Sequence, residues 1–199
     1  EHNPWLIGDW LINYQGGMIR RGFSGEVFYQ LAHFTHINPG LYVYIFQVFF
    51  YAVFLFFAYA LLKKQKVLLP YALLIFSPFI FTFQINDPQG GLRKEIIYFA
   101  LLAFVLWSAI AREYITFAKI FYITLILYPA VILTHEMLEI FLQYLLVVYL
   151  SVTTLTNKKL LIITLLLFPS IASCIVAIYY PGIFTQVAEI TNSIARENY

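Results

Sequence analysis

Charge is scarce in this sequence. Asp, Glu, Lys and Arg make up 11% of its 199 residues, against 62% hydrophobic. A soluble domain of this length needs far more charged surface, so the balance points to a protein solvated by lipid. The twelve basic and ten acidic residues nearly cancel, and the basic ones form no stripe, so no nucleic-acid partner is expected. Cysteine is almost missing. The lone Cys174 lies in an apolar run, permits no intrachain disulfide and reads as a small packing residue. Walker and dinucleotide fingerprints are absent, as is a helical His-x-x-x-His zinc pair, so no cofactor is expected. The chain opens at Glu1 with no charged segment leading into an apolar core, so no signal peptide is visible. The expectation is a fragment with at least one span missing upstream, and a loop cut short after Pro181.

Aromatic residues and long apolar runs are abundant instead. Phe, Tyr and Trp supply 20% of the chain, and mean hydropathy is +0.80. Residues 1–40 are mixed polar and aromatic, with glycines at 8, 16, 17, 22, 25 and 40, and fit no span. Within them Phe23, Val27, Phe28, Leu31 and Phe34 recur at helical spacing, which suits a short amphipathic helix in the interface, with His33 and His36 as interface residues. Six runs then follow at 41–62, 67–83, 96–111, 114–134, 137–156 and 160–180. The first has 22 uncharged residues, enough to cross a bilayer alone. The second carries Pro70 and Pro78, which a membrane helix tolerates when neighbours satisfy the freed carbonyls. The expected fold is an all-α bundle of about six spans (41–180), preceded by the loop with its interfacial helix (1–40) and followed by a tail (181–199).

The short turns at 63–66, 112–113 and 157–159 hold Lys63, Lys64, Lys66, Arg112, Lys158 and Lys159 but one acid, Glu113. The positive-inside rule places them in the cytoplasm. Residues 1–40, 84–95, 135–136 and 181–199 then share the outer face.

Three polar clusters fall on that face. The first is Asp9-Trp10, Asn13, Gly16-Gly17 and Arg20-Arg21-Gly22. Adjacent arginines between glycines suit a phosphate-binding loop, because guanidinium is permanently charged and bidentate. Asp9 is a candidate general base or metal ligand, or a turn cap or arginine partner. The second runs from Asp87 to Glu95, with Gly90-Gly91 before Arg93-Lys94 at a helix start. An anion is favoured there by free N–H groups and the helix dipole. It also reads as a glycine turn whose charges anchor the helix at headgroups. The third is His135-Glu136, an acid–base pair or a polar turn between spans, with Glu139 one helical turn on. Glu136 and Glu139 together could share a proton or bind a cation. Four cations beside carboxylates and a histidine, all close to the lipid surface, fit an enzyme acting on a lipid-linked phosphate or pyrophosphate.

Residues 9–22 (DWLINYQGGMIRRG), 91–95 (GLRKE) and 135–136 (HE) resemble segments of bacterial O-antigen and capsule polymerases, which are related in architecture to the type C glycosyltransferases. The resemblance implies a multi-pass protein of the bacterial cytoplasmic membrane, serving surface-polysaccharide (lipopolysaccharide) synthesis. Glycan would move from a polyprenyl-pyrophosphate carrier to a sugar hydroxyl at the periplasmic face. It further implies that Arg20, Arg21 and Arg93, with Lys94 beside them, hold the pyrophosphate, and that Asp9, His135 or Glu136 takes the acceptor proton. Polymerases of this class have more spans and a large outer loop. Two alternatives stay open: a type C transferase using a polyprenyl-monophosphate sugar, with Asp9 essential and a divalent metal required, or a flippase for lipid-linked sugars.

Overall fold

Apolar run and helix coincide over most of the chain. The computed structural model describes residues 7–63, 92–180, 182 and 184–197, and among them every regular element is helical. A short 3-10 turn (Gly8–Leu11) leads to α1 (Gly22–Thr35), α2 (Pro39–Leu62), α3 (Glu95–Ala111) and α4 (Tyr114–Thr134). A second 3-10 segment (Glu136–Phe141) then precedes α5 (Leu142–Val152), α6 (Asn157–Tyr179) and α7 (Phe184–Arg196). The expected span at 67–83 with Pro70 and Pro78, most of the basic turn before it, and the Asp87–Gly91 part of the second cluster lie outside the described residues.

Local chemistry sets the helix ends. Asn38 caps α2 by accepting the Gly40 N–H at 2.7 Å, and Pro39 occupies the first turn, where its missing N–H costs nothing. The Thr156 hydroxyl accepts the Lys159 N–H to start α6. Pro129 and Pro169 sit inside α4 and α6, as membrane helices allow.

Among the described residues three helices are long and apolar enough to cross a membrane: α2, α4 and α6. They mark the chain as an α-helical membrane protein. The 17 residues of α3 rise only about 26 Å at 1.5 Å per residue, a little less than a typical hydrocarbon core. α4 is the axis of the bundle. Phe117, Phe121, Leu125, Tyr128 and Ile132 recur at intervals of three and four along one face, and all are fully buried. Tyr149 of α5 stacks on Phe121 at 4.4 Å, and its hydroxyl meets that of Tyr122 at 2.8 Å. The most apolar stretch of α4 is 44% buried, against 11% in α2 and 17% in α6, so the latter two turn most of their surface outward. α2 packs along α3, and α4 lies between α3 and α6.

Two expectations change. The run at 137–156 is not one continuous helix. Its first turn and a half is the tighter 3-10 segment, which carries Leu138 into the core, where the Tyr128 hydroxyl donates to the Leu138 carbonyl at 2.7 Å. The 11 residues of α5 are too few to cross alone. The tail after Pro181 is not a loop but α7. Its Ile190 and Ser193 are buried and Ile194 packs against the core, while the opposite face carries Glu189, Asn192 and Arg196. Polar composition conceals a helix whose apolar stripe is narrow.

The helix expected from the stripe Phe23 to Phe34 is present as α1, but only Phe28 of that stripe points inward. Phe23, Val27, Leu31 and Phe34 are exposed, up to 85% for Phe34, as an interfacial helix requires. The buried side is instead made of Gly22, Ser24, Gly25, Phe28 and Ala32. A Cβ at Gly25 would overlap the Ile12 carbonyl, and one at Gly22 the Tyr14 ring, so these glycines let α1 lie directly on the loop before it.

Candidate functional site

The loop between the first 3-10 turn and α1 is held from several sides. Glu26 of α1 accepts the Tyr14 N–H at 3.0 Å, and Arg20 donates its N–H to Tyr180 at the end of α6, at 2.8 Å. Asn13, fully buried, donates to the Ser193 hydroxyl of α7 at 3.1 Å. The Trp10 indole donates to the Leu92 carbonyl at 2.9 Å, and Gln47 of α2 donates to the same oxygen at 3.0 Å. That shared acceptor joins the first loop, α2 and the entrance to α3.

Around this joint the three polar clusters meet. Arg21, whose backbone is left-handed at φ 65°, forks onto Glu136 with Nε–Oε2 and Nη2–Oε1 both 2.9 Å. A non-glycine residue held in that conformation costs on the order of 1–2 kcal/mol, which the surrounding contacts must offset. Arg20 approaches Glu136 at 3.7 Å from the more exposed side. Asp9 lies 3.7 Å from Arg21 Nη1 and 3.6 Å from Lys94 Nζ. Lys94 is wholly buried, donates to the Arg21 carbonyl at 3.1 Å and lies 6.0 Å from the Trp10 ring centre. His135 Nε2 is 3.7 Å from Glu95 Oε1. A cavity of about 280 Å³ opens among Asp9, Trp10, Arg21, Leu92, Arg93, Glu95 and His135.

The electrostatics follow from partial burial. Burial pushes the Lys94 amine down to about 8, with Asp9 opposing the shift and Arg21 adding to it. Burial also lowers His135, helped by Arg21, so the ring is neutral at pH 7. For Glu136 burial works upward, but the Arg21 hydrogen bonds and the nearby positive charge outweigh it and hold the carboxyl below its ordinary value. The Arg21 guanidinium is raised further by the Glu136 bonds.

All seven nominated residues therefore converge on one site, in different roles. Asp9, Arg21, Arg93 and His135 line the cavity, Lys94 and Glu136 sit behind it, and Arg20 covers Glu136 from outside. Arg93 is exposed, and among the described residues its side chain has no ion pair. Glu136 and Glu139 do not act as a pair. Glu136 is bonded to Arg21, whereas Glu139 lines a separate groove with Ile140, Leu142, Gln143, Leu146, Leu167 and Ile171. His33 lies elsewhere, 3.0 Å from Glu197. Among the described residues, no three His, Cys, Asp or Glu side chains are grouped to hold a metal ion. Gln47 has no place in the sequence reading, although it is the one amide in an otherwise apolar or tyrosine-bearing run, whereas Glu95 stands there within the second cluster with no site role of its own.

Comparison of the chain with protein-family models, with curated proteins and with solved structures found no match.

Proposed function

We propose that this protein transfers glycan from a polyprenyl-pyrophosphate carrier at the extracytoplasmic membrane face. The carrying observation is the convergence of Arg21 and Arg93, drawn from two distant segments, on a single cavity at one end of an apolar bundle, with Lys94 buried behind its wall. Among the described residues four cations including Arg20 face three carboxylates, so these groups retain positive charge once their internal pairs are formed. Pyrophosphate suits that excess: guanidinium forks match phosphate oxygens, and a departing pyrophosphate gathers the charge the cations stabilise. The cavity volume of about 280 Å³ lies at the low end for small-molecule sites, which suits a headgroup whose chain stays in lipid. Both Asp9 oxygens face cations, which weakens the alternative in which Asp9 serves a monophosphate donor through a metal.

Arg93 gives the direct test, because its replacement breaks no ion pair among the described residues. Arg93→Ala should weaken pyrophosphate binding roughly 10- to 100-fold, the worth of a charge-assisted contact, and shorten the glycan chains made in cells, with thermal stability unchanged. Unaltered binding and chain length would remove the reading. The outer placement has its own check. In a Cys174→Ser background, an impermeant thiol reagent added to intact cells should label Met18→Cys and spare Asn157→Cys.

A further inference from the structure

Glycosyl transfer needs a group that takes the acceptor proton, and three residues suggested by the sequence are engaged elsewhere. Glu136 is clamped by the Arg21 fork and lies outside the cavity wall. Asp9 is held between Arg21 and Lys94. His135 accepts the Met137 N–H on Nδ1 at 3.3 Å. Its neutral ring then carries hydrogen on Nε2, the nitrogen turned toward Glu95, so no free lone pair faces the cavity.

Glu95 differs from all three. It lines the cavity, its side chain is 27% exposed, and no Arg or Lys pairs with it among the described residues. Oε1 faces His135 Nε2 at 3.7 Å, and Oε2 is buried with no hydrogen-bond partner among the described residues. A buried carboxylate oxygen left unbonded is unusual and calls for a partner; Glu139 Oε2 shares the feature but lies on the other groove.

We propose that Glu95 is the general base of this site and His135 its positioning residue. The proposal rests on the glycosyl-transfer reading. The acceptor hydroxyl oxygen bonds to the anomeric carbon of the donor sugar while its proton passes to the Glu95 carboxylate. The bond from that carbon to the pyrophosphate oxygen breaks, and its electron pair leaves with the lipid pyrophosphate beside Arg21 and Arg93. Glu95 then returns the proton to water. His135 Nε2, carrying its hydrogen, faces Oε1 at 3.7 Å, longer than a hydrogen bond, and the N–H dipole biases where the carboxylate sits. Among the described residues the charged and titratable groups around Glu95 are Asp9 from the first 3-10 turn, Arg21 ahead of α1, Arg93 and Lys94 ahead of α3, and His135 and Glu136 after α4.

The test uses the full chain in lipid nanodiscs, with inorganic pyrophosphate as binding probe and a short-chain polyprenyl-pyrophosphate disaccharide as substrate. Glu95→Gln should bind pyrophosphate at least as tightly as the wild type, since it removes a negative charge. Its turnover should fall by about 10²- to 10⁴-fold, the usual contribution of a general base. Glu95→Asp, which keeps the carboxylate and guards against misfolding, should recover part of that loss. His135→Phe should move the acidic limb of the turnover profile to higher pH, which a purely structural role would not do. Turnover of Glu95→Gln within threefold of wild type, with binding intact, overturns the base assignment and leaves the transfer reading standing. An unmoved acidic limb in His135→Phe overturns the positioning role. A wild type that neither binds pyrophosphate nor cleaves the substrate overturns both readings.

Discussion

The aromatic body of this protein is fully buried and its charged end only partly so, and the two are held by opposite means. In the body, Phe117, Phe121 and Tyr149 stack with ring centres 4.4–6.2 Å apart, and their neighbours are interchangeable in kind. At the charged end each contact is specific: Arg21 fits Glu136, Lys94 fits the Arg21 carbonyl, Trp10 fits the Leu92 carbonyl. The difference teaches what each region loses when it is changed. A close-packed core loses stability when a ring is removed, whereas the charged end loses the compensation of a partly buried ion when one partner goes.

The largest effect should come from the body. Phe121→Ala removes a fully buried ring and should lower stability by about 3–5 kcal/mol, read as a drop in the thermal midpoint in detergent. Pyrophosphate affinity per folded molecule should stay at the wild-type value. A matching loss of affinity would show that body and site are coupled rather than separate.

Arg21→Ala should reverse that pattern. Glu136, with a side chain 11% exposed, would remain without its fork, costing about 2–3 kcal/mol, somewhat less than the full penalty for a deeply buried pair. Binding and glycan extension should be lost even in the fraction that stays folded. The double variant Arg21→Ala/Glu136→Ala should regain stability and not binding, and recovery of both would contradict the assigned role of Arg21.

Lys94 sharpens the comparison through pH. Its amine lies near 8 in the fold against 10.5 for an ordinary lysine. Below pH 8 both states are charged, and the fold bears the whole burial penalty. Between pH 8 and 10.5 the unfolded chain holds a proton that the folded chain has released, so this residue adds stability as pH rises. Anion binding should move the other way, because the site loses a cation over the same window. Pyrophosphate affinity should fall above pH 8 without a parallel fall in thermal midpoint, and Lys94→Met should flatten that dependence.

The smallest expected change is Trp10→Phe. It keeps one ring against Phe28 and Phe46 but deletes the N–H bond to Leu92 and leaves a small cavity, together costing about 1–2 kcal/mol. Gln47 still holds that carbonyl, so turnover should fall less than tenfold. A larger loss would mean that the Leu92 joint sets the cavity shape.

Much of the body could be read from the chain alone. Uninterrupted apolar runs bounded by charge give helices wherever backbone polar groups must be satisfied internally, so 114–134 was found to the residue and 41–62 within two. The run at 137–156 misled because hydropathy does not distinguish a 3-10 turn from an α-helix. The tail misled because α7 gets its few buried contacts from partners far away in sequence, such as Asn13.

The candidate site was half legible. The sequence by itself determined the membrane setting, the scarcity of charge and the seven polar residues worth watching, because burying charge in lipid is costly and each retained charge stands out. Only the tertiary structure decided that Asp9, Lys94 and Glu136 all reach Arg21, that Glu139 turns to another groove, and that Glu95 is left without a cation partner among the described residues. Composition reports how many charges a chain keeps. Which of them neutralise one another depends on distances of about 3–4 Å between site residues up to 116 positions apart, and those arise only when the helices pack.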